Sequence, residues 1–360
     1  MKHSQTGISR VGALNTDGHA IGLDIGATAV RAAILSPGTH EGRPSVTVHG
    51  LGHVDLPPGA VVNGVVTDGP TVTAALKQLW SDNHFECRNV ILGVTNPQVV
   101  VRPMTMPNLS PDQRAKALPF QAKEIVALPI DQVLIDFIQL GEPDPETDTV
   151  SGLLVAAPRQ PVLAAVTAVE KAGLKVARVD LSTFAALRSI ADADVTVEAV
   201  VDIGAHLTNI VIHSRGIPKV VRSIPRGSAE LTEKLADDLG FSAHEAELAK
   251  INNGLLGDNA QVKKTLTDAL RPLVNEIRSS IHYFASLEDA GLLERVVLTG
   301  GGAELPGFTQ ALADQVGLPT ALINPMQHIR NRLTLKQPEH DEAEGVRSAV
   351  SLGLAMGAAA

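Results

Sequence analysis

Two short stretches of this chain repeat one pattern, and that pattern constrains the fold more than any bulk property does. The first, Ile21 to Leu35 (IGLDIGATAVRAAIL), alternates apolar residues through Ile21, Leu23 and Ile25, turns at Gly26, and resumes an apolar, β-favouring run from Val30. It reads as a β-hairpin with Asp24 at its mouth. Gly26 permits a tight turn and close approach of a ligand, Thr28 adds a hydroxyl, and the turn amides, that of Ala27 included, are donors for phosphate oxygens. A carboxylate beside a phosphate repels it unless a cation lies between them. The combination therefore points to a Mg²⁺-nucleotide, with Asp24 holding the metal through water. A lone Asp-Ile-Gly tripeptide at a strand turn is equally the mark of a hairpin with a solvated aspartate.

The second copy is Val200 to Ile212 (VVDIGAHLTNIVI), in which Asp202, Gly204 and Thr208 answer Asp24, Gly26 and Thr28. Asp202 follows Asp24 by 178 residues (202 − 24), too far for a solenoid repeat and suited to one domain after another. Two facing halves would aim two such turns, and two metal-holding aspartates, at one cleft. Arg295 to Gly307 (RVVLTGGGAELPG) is a buried strand ending in Gly300, Gly301 and Gly302, where bare backbone can lie flat against an adenosine or its phosphate.

Composition narrows the function classes. The 360 residues are comfortable for two domains, and 44% hydrophobic residues exclude disorder for the bulk of the chain. Aromatics at 2%, a net charge of −9 and no basic cluster argue against nucleic acid. The single Cys87 reads as a small buried hydrophobe and excludes an intramolecular disulfide or a cysteine-rich zinc site. His49 and His53 are solvated rather than ligands, because Gly50 and Gly52 argue against the helix that would pair them. No apolar run reaches the roughly 20 residues of a membrane span. No GxxxxGK[ST] motif occurs, which excludes a P-loop ATPase.

The three glycine-bearing stretches, in this order, resemble the phosphate-1, phosphate-2 and adenosine motifs of the actin, Hsp70 and sugar-kinase ATPase superfamily. Arg102 to Leu140, with its Arg, Met-Pro, helix, Leu-Pro, strand rhythm, is similar to the inserted subdomain of the PilM family of type IV pilus assembly. The similarity continues through Leu154–Val162, Gly173–Arg188 and Asn275–Phe284. It implies an α/β, actin-like ATPase fold: two ribonuclease-H-like halves around a nucleotide cleft, with a small insert in the first. The boundaries expected are a flexible tail over 1–19, a first half over 20–192 with its insert at about 96–150, and a second half over 193–360.

The resemblance also implies ATP and Mg²⁺ as ligands, with slow or absent turnover, since neither Asp24 nor Asp202 is an evident base. A glycine-led helix at Gly227 and an Ala-Glu-x-x-Lys helix at Ala246, Glu247 and Lys250 stand where relatives contact ribose and base; by spacing alone Glu247 and Lys250 are equally a surface i, i+3 pair. Arg278, with Glu276, falls in a helix that lines the cleft in the family. The expected partner is the N-terminal cytoplasmic peptide of PilN, held between the first half and the insert, with Phe120, Leu128 and Pro129 as candidate contacts. Other pilus platform or motor proteins are further partners, and the protein would sit at the cytoplasmic side of the inner membrane through its partner. Two rivals are a FtsA-like division filament, disfavoured by the lack of Lys or Arg after Arg347, and a small-molecule kinase.

Locally, Thr71 to Asp82 reads as a helix begun near Asp68, and Ser110, Pro111 and Gln113 as a capping box opening a helix that contains Pro119. Ser151–Ala157, Gln160–Ala172 and Lys175–Asp180 read as one strand, helix, strand crossover. Ser348 to Ala360 reads as the last core helix of the second half.

Overall fold

Five strands alternate apolar residues in each half, and each set builds one sheet of the same order. In the computed structural model, which describes residues 18–40, 43–192, 194–288, 290–326 and 342–359, the antiparallel meander β1 (Ala20–Ile25), β2 (Ala29–His40) and β3 (Arg43–Asp55) starts the first sheet. The tail expected over 1–19 lies, up to residue 17, outside the described residues. A small hairpin, β4 (Val61–Val62) and β5 (Val65–Val66), leads into α1 (Gly69–Asp82), and β6 (Asn89–Val94) returns parallel to β1. Asp68 caps α1 by accepting from the Thr71 amide at 3.1 Å, as its sequence position predicts.

The insert follows as β7 (Val100–Pro107), α2 (Pro111–Ala122), β8 (Val133–Gln139) and β9 (Thr149–Pro158). Ser110 and Gln113 form the reciprocal capping box, and α2 runs on through Pro119 to Ala122. Next come α3 (Arg159–Lys171), β10 (Lys175–Leu181), which pairs parallel with β6, and α4 (Ser182–Ile190). The second half repeats the meander with β11 (Val197–Ile203), β12 (Thr208–Ser214) and β13 (Ile217–Ile224). Helices α5 (Ala229–Leu239), α6 (Ala243–Asn252) and α7 (Ala260–Ala285) precede β14 (Arg295–Thr299), α8 (Phe308–Val316), β15 (Thr320–Leu322), α9 (Glu342–Arg347) and α10 (Ala349–Ala359). The sheet orders, β3-β2-β1-β6-β10 and β13-β12-β11-β14-β15, match strand for strand.

Two sequence readings are corrected by the packing. The strand beginning near Ser151 is not part of a crossover in the main sheet: β9 is the centre of the insert's own sheet, order β7-β9-β8, so the insert runs to Pro158. Its run of apolar residues resembles a main-sheet strand because both its faces are buried. Leu154 and Ala156 face the insert core beneath α2, while Leu153 faces Phe184 of α4.

The apolar C-terminal helix α10 does not close the second half. It lies on the first sheet, where Leu352 and Ala355 pack with Ala20, Ala33 and Leu35, and where Val350 and Leu354 pack with Ile91, Ala185 and Ala186. A helix apolar all round is buried on all sides, and composition alone does not say against which sheet. Its seat depends on backbone contact. A Cβ on Gly353 would lie 1.7 Å from the Ala185 carbonyl oxygen of α4, and one on Gly22 of β1 would lie 2.0 Å from that of Ser351. α4 continues the sandwich outward, since Leu187 and Ile190 pack on Val200, Val211 and Val297 of the second sheet. The helix pair therefore joins the two halves. Gly353→Ala is predicted to destabilise the protein by about 3 kcal/mol or more, because backbone must move to admit the methyl; a loss of that size in the unfolding free energy from urea titration, read as a lower midpoint at unchanged slope, is the expected measurement.

Candidate functional site

The two glycine turns are built alike. Gly26 donates its amide to the Ala29 carbonyl at 3.0 Å, and Gly204 donates to that of Leu207 at 2.8 Å. The amides of Ala27, Thr28, Ala205 and His206 have no hydrogen-bond acceptor among the described residues, so each turn presents two free donors. The hairpin register places Asp24 opposite Arg31 and Asp202 opposite Asn209.

This superposition corrects the pairing of Thr208 with Thr28. Two residues separate the true equivalents: His206 stands where Thr28 stands, and Thr208 matches Val30 at the start of the returning strand. Thr208 is fully buried, and its hydroxyl donates to the Arg226 carbonyl at 3.0 Å rather than facing a ligand.

Asp24 and Asp202 share one space. Burial pushes the Asp24 carboxyl up to about 6, the Arg31 guanidinium pulls it back, and the Asp202 charge raises it further. Asp202 is likewise raised by burial, against a hydrogen bond from Asn209 and the charge of Arg31. Asn209, itself buried, offers its Nδ2 to Asp202 at 3.4 Å while its Oδ1 accepts from Thr95 Oγ1 at 2.8 Å and Ser223 Oγ at 2.7 Å. Because Thr95 follows β6, this network ties the first half to the second.

The glycine shelf closes one side. A Cβ on Gly300 would lie 2.4 Å from Asp202 Oδ1, and one on Gly302 would lie 3.1 Å from Ser228 Cβ. Gly227 packs on the second turn, where a Cβ would come within 2.4 Å of the Ala205 carbonyl oxygen; Ser228 and Ala229 donate their amides to Gly204 and Ala205. Lys250 is buried rather than a surface residue, its Nζ donating to Glu247 at 2.7 Å, Thr232 at 2.8 Å and the Ser228 carbonyl at 3.3 Å. Burial disfavours the Glu247 carboxylate, yet the hydrogen bonds from Lys250 and Thr232 and the charges of Lys250 and Arg347 outweigh it and hold the group below its ordinary value.

Asp24, Gly26, Ala27, Thr28, Asp202, Gly204, Gly227, Glu247, Lys250 and Gly300 to Gly302 thus border one region. No contact among the described residues places Arg278 there. Its neighbours on α7, Glu276 and Ser280, pair with Arg222 of β13, and Arg278 has no ion-pair partner among the described residues. Arg31, Asn209 and Thr95 were missed by the sequence reading, as were Glu344 and Arg347. The cross-strand position opposite each aspartate is the signal that finds the first two.

On the insert, Phe120 is 72% exposed beneath Lys123, Pro129 is exposed, and Leu128 packs into the insert core. A separate small apolar cleft, with a cavity of about 20 Å³, lies between the first sheet and the insert, walled by Ile25, Val94, Val99, Pro158, Pro161 and Val162. None of Phe120, Leu128 and Pro129 lines it. The described residues contain no helix long and apolar enough to cross a membrane.

Because the folded Asp24 pKa lies above its unfolded value, the group favours the folded state below that unfolded value, and the benefit is lost as pH rises through about 6. Asp24→Asn is therefore predicted to stabilise the ligand-free protein at pH 8 by about 1 to 3 kcal/mol, a spread that allows for its contact with solvent, and by much less at pH 4.5. Thermal melts in chelator at both pH values measure it.

The profile of the family described as type IV pilus assembly protein PilM matches residues 22–359. The solved PilM-PilN type IV pilus biogenesis complex superposes with a TM-score of 0.80 at 25% identity, covering 95% of this chain and 98% of that one. The ethanolamine utilization protein EutJ of Carboxydothermus hydrogenoformans superposes at 0.54 with 16% identity, covering 96% and 92%. MreB5 of Spiroplasma citri bound to AMPPNP does so at 0.54 with 14% identity, covering 94% and 95%. These show an actin-like ATPase fold, and the match over nearly the whole chain shows that this protein belongs to the PilM family of type IV pilus assembly proteins.

Proposed function

We propose that this protein is a nucleotide-loaded adaptor of type IV pilus assembly, binding ATP with Mg²⁺ between its halves and the N-terminal cytoplasmic segment of a PilN partner beside its insert. The observation that carries the nucleotide reading is the pair of half-buried aspartates, one from each half, each at the mouth of a turn with free amides and with the charge of Asp202 acting on Asp24. Two like-charged carboxylates kept close favour a divalent cation, and the free amides suit the phosphate oxygens that would share it. Asp24 and Asp202 would hold the metal through water, with Gly26, Ala27, Thr28 and Gly204 at the phosphates. Gly227, Glu247, Lys250 and Gly300 to Gly302 would border the nucleoside; nothing supports a role for Arg278 or Thr208. MreB5, of the same fold, was solved with AMPPNP and with ADP, which makes adenine nucleotides the ligands to test first.

The partner reading draws on the PilM-PilN complex. A PilN segment entering the apolar cleft beside the insert would be held by its apolar side chains in the pockets and by main-chain pairing at the rim. Such a partner would bring this chain to the cytoplasmic face of the inner membrane. Phe120 and Pro129 are exposed on the same insert and would serve as outer contacts.

Isothermal titration tests both halves of the reading. Wild-type protein is expected to bind Mg²⁺-ATP and a synthetic PilN N-terminal peptide, and the Asp24→Ala, Asp202→Ala double variant to lose ATP. Absence of ATP binding by the wild type would overturn the nucleotide reading. Pro161 occupies the third position of α3, where an acidic residue is favourable to the helix. Pro161→Glu should therefore fold normally, weaken the peptide at least tenfold and leave ATP affinity unchanged; undiminished peptide binding would place the partner elsewhere.

A further inference from the structure

The short helix α9 spans the two halves at the glycine shelf. On one side Glu344 pairs at 3.4 Å with Arg31 of β2 and with His53 of β3. On the other, the Val346 carbonyl accepts from Thr299 Oγ1 at 2.8 Å and from the Gly300 amide at 3.3 Å. The next residue, Arg347, is thereby delivered over the shelf. Its Nε, Cγ and Cδ lie 3.5 to 3.8 Å from where a Cβ on Gly301 would stand. The side chain remains 42% exposed, with Nε donating to Glu304 at 2.6 Å. Its charge reaches Glu247 on α6 across the region.

This arrangement separates two roles. Arg31 and the free turn amides stand at the aspartate end, where phosphates would lie. Arg347 is already paired with the Glu304 carboxylate and lies within reach of the Glu247 charge, so it is a poor anion site. What remains available is the flat face of a guanidinium, which is weakly hydrated and stacks on aromatic rings. Its backbone seat is fixed by the Val346 carbonyl, and its Nε by Glu304, so little freedom is lost when a ring lies against it.

We propose that Arg347 is a nucleoside-binding residue whose guanidinium stacks on the base of a nucleotide lying along Gly300 to Gly302. The inference rests on the nucleotide reading above and adds to it the element that recognises the base rather than the phosphates. It predicts that affinity splits between nucleoside and phosphate parts, which a structural role for Arg347 would not produce.

The test compares Mg²⁺-ATP with Mg²⁺-tripolyphosphate, titrated into wild type, Arg347→Ala and Arg347→Lys, each checked for an unchanged thermal melt in the absence of ligand. Arg347→Ala is expected to weaken ATP at least fivefold and leave tripolyphosphate unchanged. Arg347→Lys, which keeps the charge and loses the plane, should behave as the alanine variant does. Full ATP affinity in Arg347→Lys, or an equal loss for ATP and tripolyphosphate, would overturn the stacking role. ATP binding unchanged in Arg347→Ala would overturn this inference alone, whereas a wild type that binds no ATP overturns the nucleotide reading and this inference with it.

Discussion

Asp24 and Asp202 come from opposite halves of the chain, yet each is half-buried and the charge of Asp202 reaches Asp24, and the rest of the structure holds them there. Like charges in a low-dielectric space push apart, so the halves need a joint without slack. α4 and α10 provide it. They meet at backbone distance through Gly353 and Ala185, and α10 meets β1 the same way through Gly22. Leu187 and Ile190 then carry the contact onto the second sheet. Arg31, whose charge acts on both acids, removes part of the repulsion that this joint must resist.

The two hairpins repeat in backbone and differ in what opposes the acid. Arg31 and Asn209 occupy the same place, opposite Asp24 and Asp202. A second cation there would neutralise the pair outright and leave no call for a metal. An amide instead donates to Asp202 through Nδ2 and uses its carbonyl to accept from Thr95 and Ser223. The duplicated element is therefore asymmetric in charge while symmetric in shape.

Local signals were legible in this sequence wherever a residue acts on its own neighbours. Asp68 and Ser110 cap the helices they precede, and the paired Asp-Ile-Gly turns form hairpins with matching hydrogen bonds. Where a residue's role depends on which distant surface covers it, the pattern was ambiguous. β9 has the apolar run of a main-sheet strand because the insert and α4 bury its two faces, and α10 is apolar all round whichever sheet receives it. Glu247 and Lys250 have the spacing of a surface pair, and only the proximity of Ser228 and Thr232 shows that Lys250 is enclosed. Thr208 was misassigned by a hydroxyl match that ignored the equal spacing of the two turns. Glu344 and Arg347 stand far along the chain from either turn, and no spacing rule connects them to it.

Thr95 joins the two clefts physically. Its hydroxyl donates to Asn209, the partner of Asp202, while the same residue lines the apolar cleft beside the insert. Its carbonyl is fixed as well, since a Cβ on Gly64, another lining residue, would lie 2.0 Å from the Thr95 oxygen. A rigid-body change in the angle between the halves moves Asn209 with the second sheet. Thr95 must then either follow, shifting a wall of the apolar cleft, or give up the 2.8 Å bond and leave a buried amide oxygen with Ser223 alone. Either course runs through a single hydroxyl, which links the second sheet to a wall of the apolar cleft.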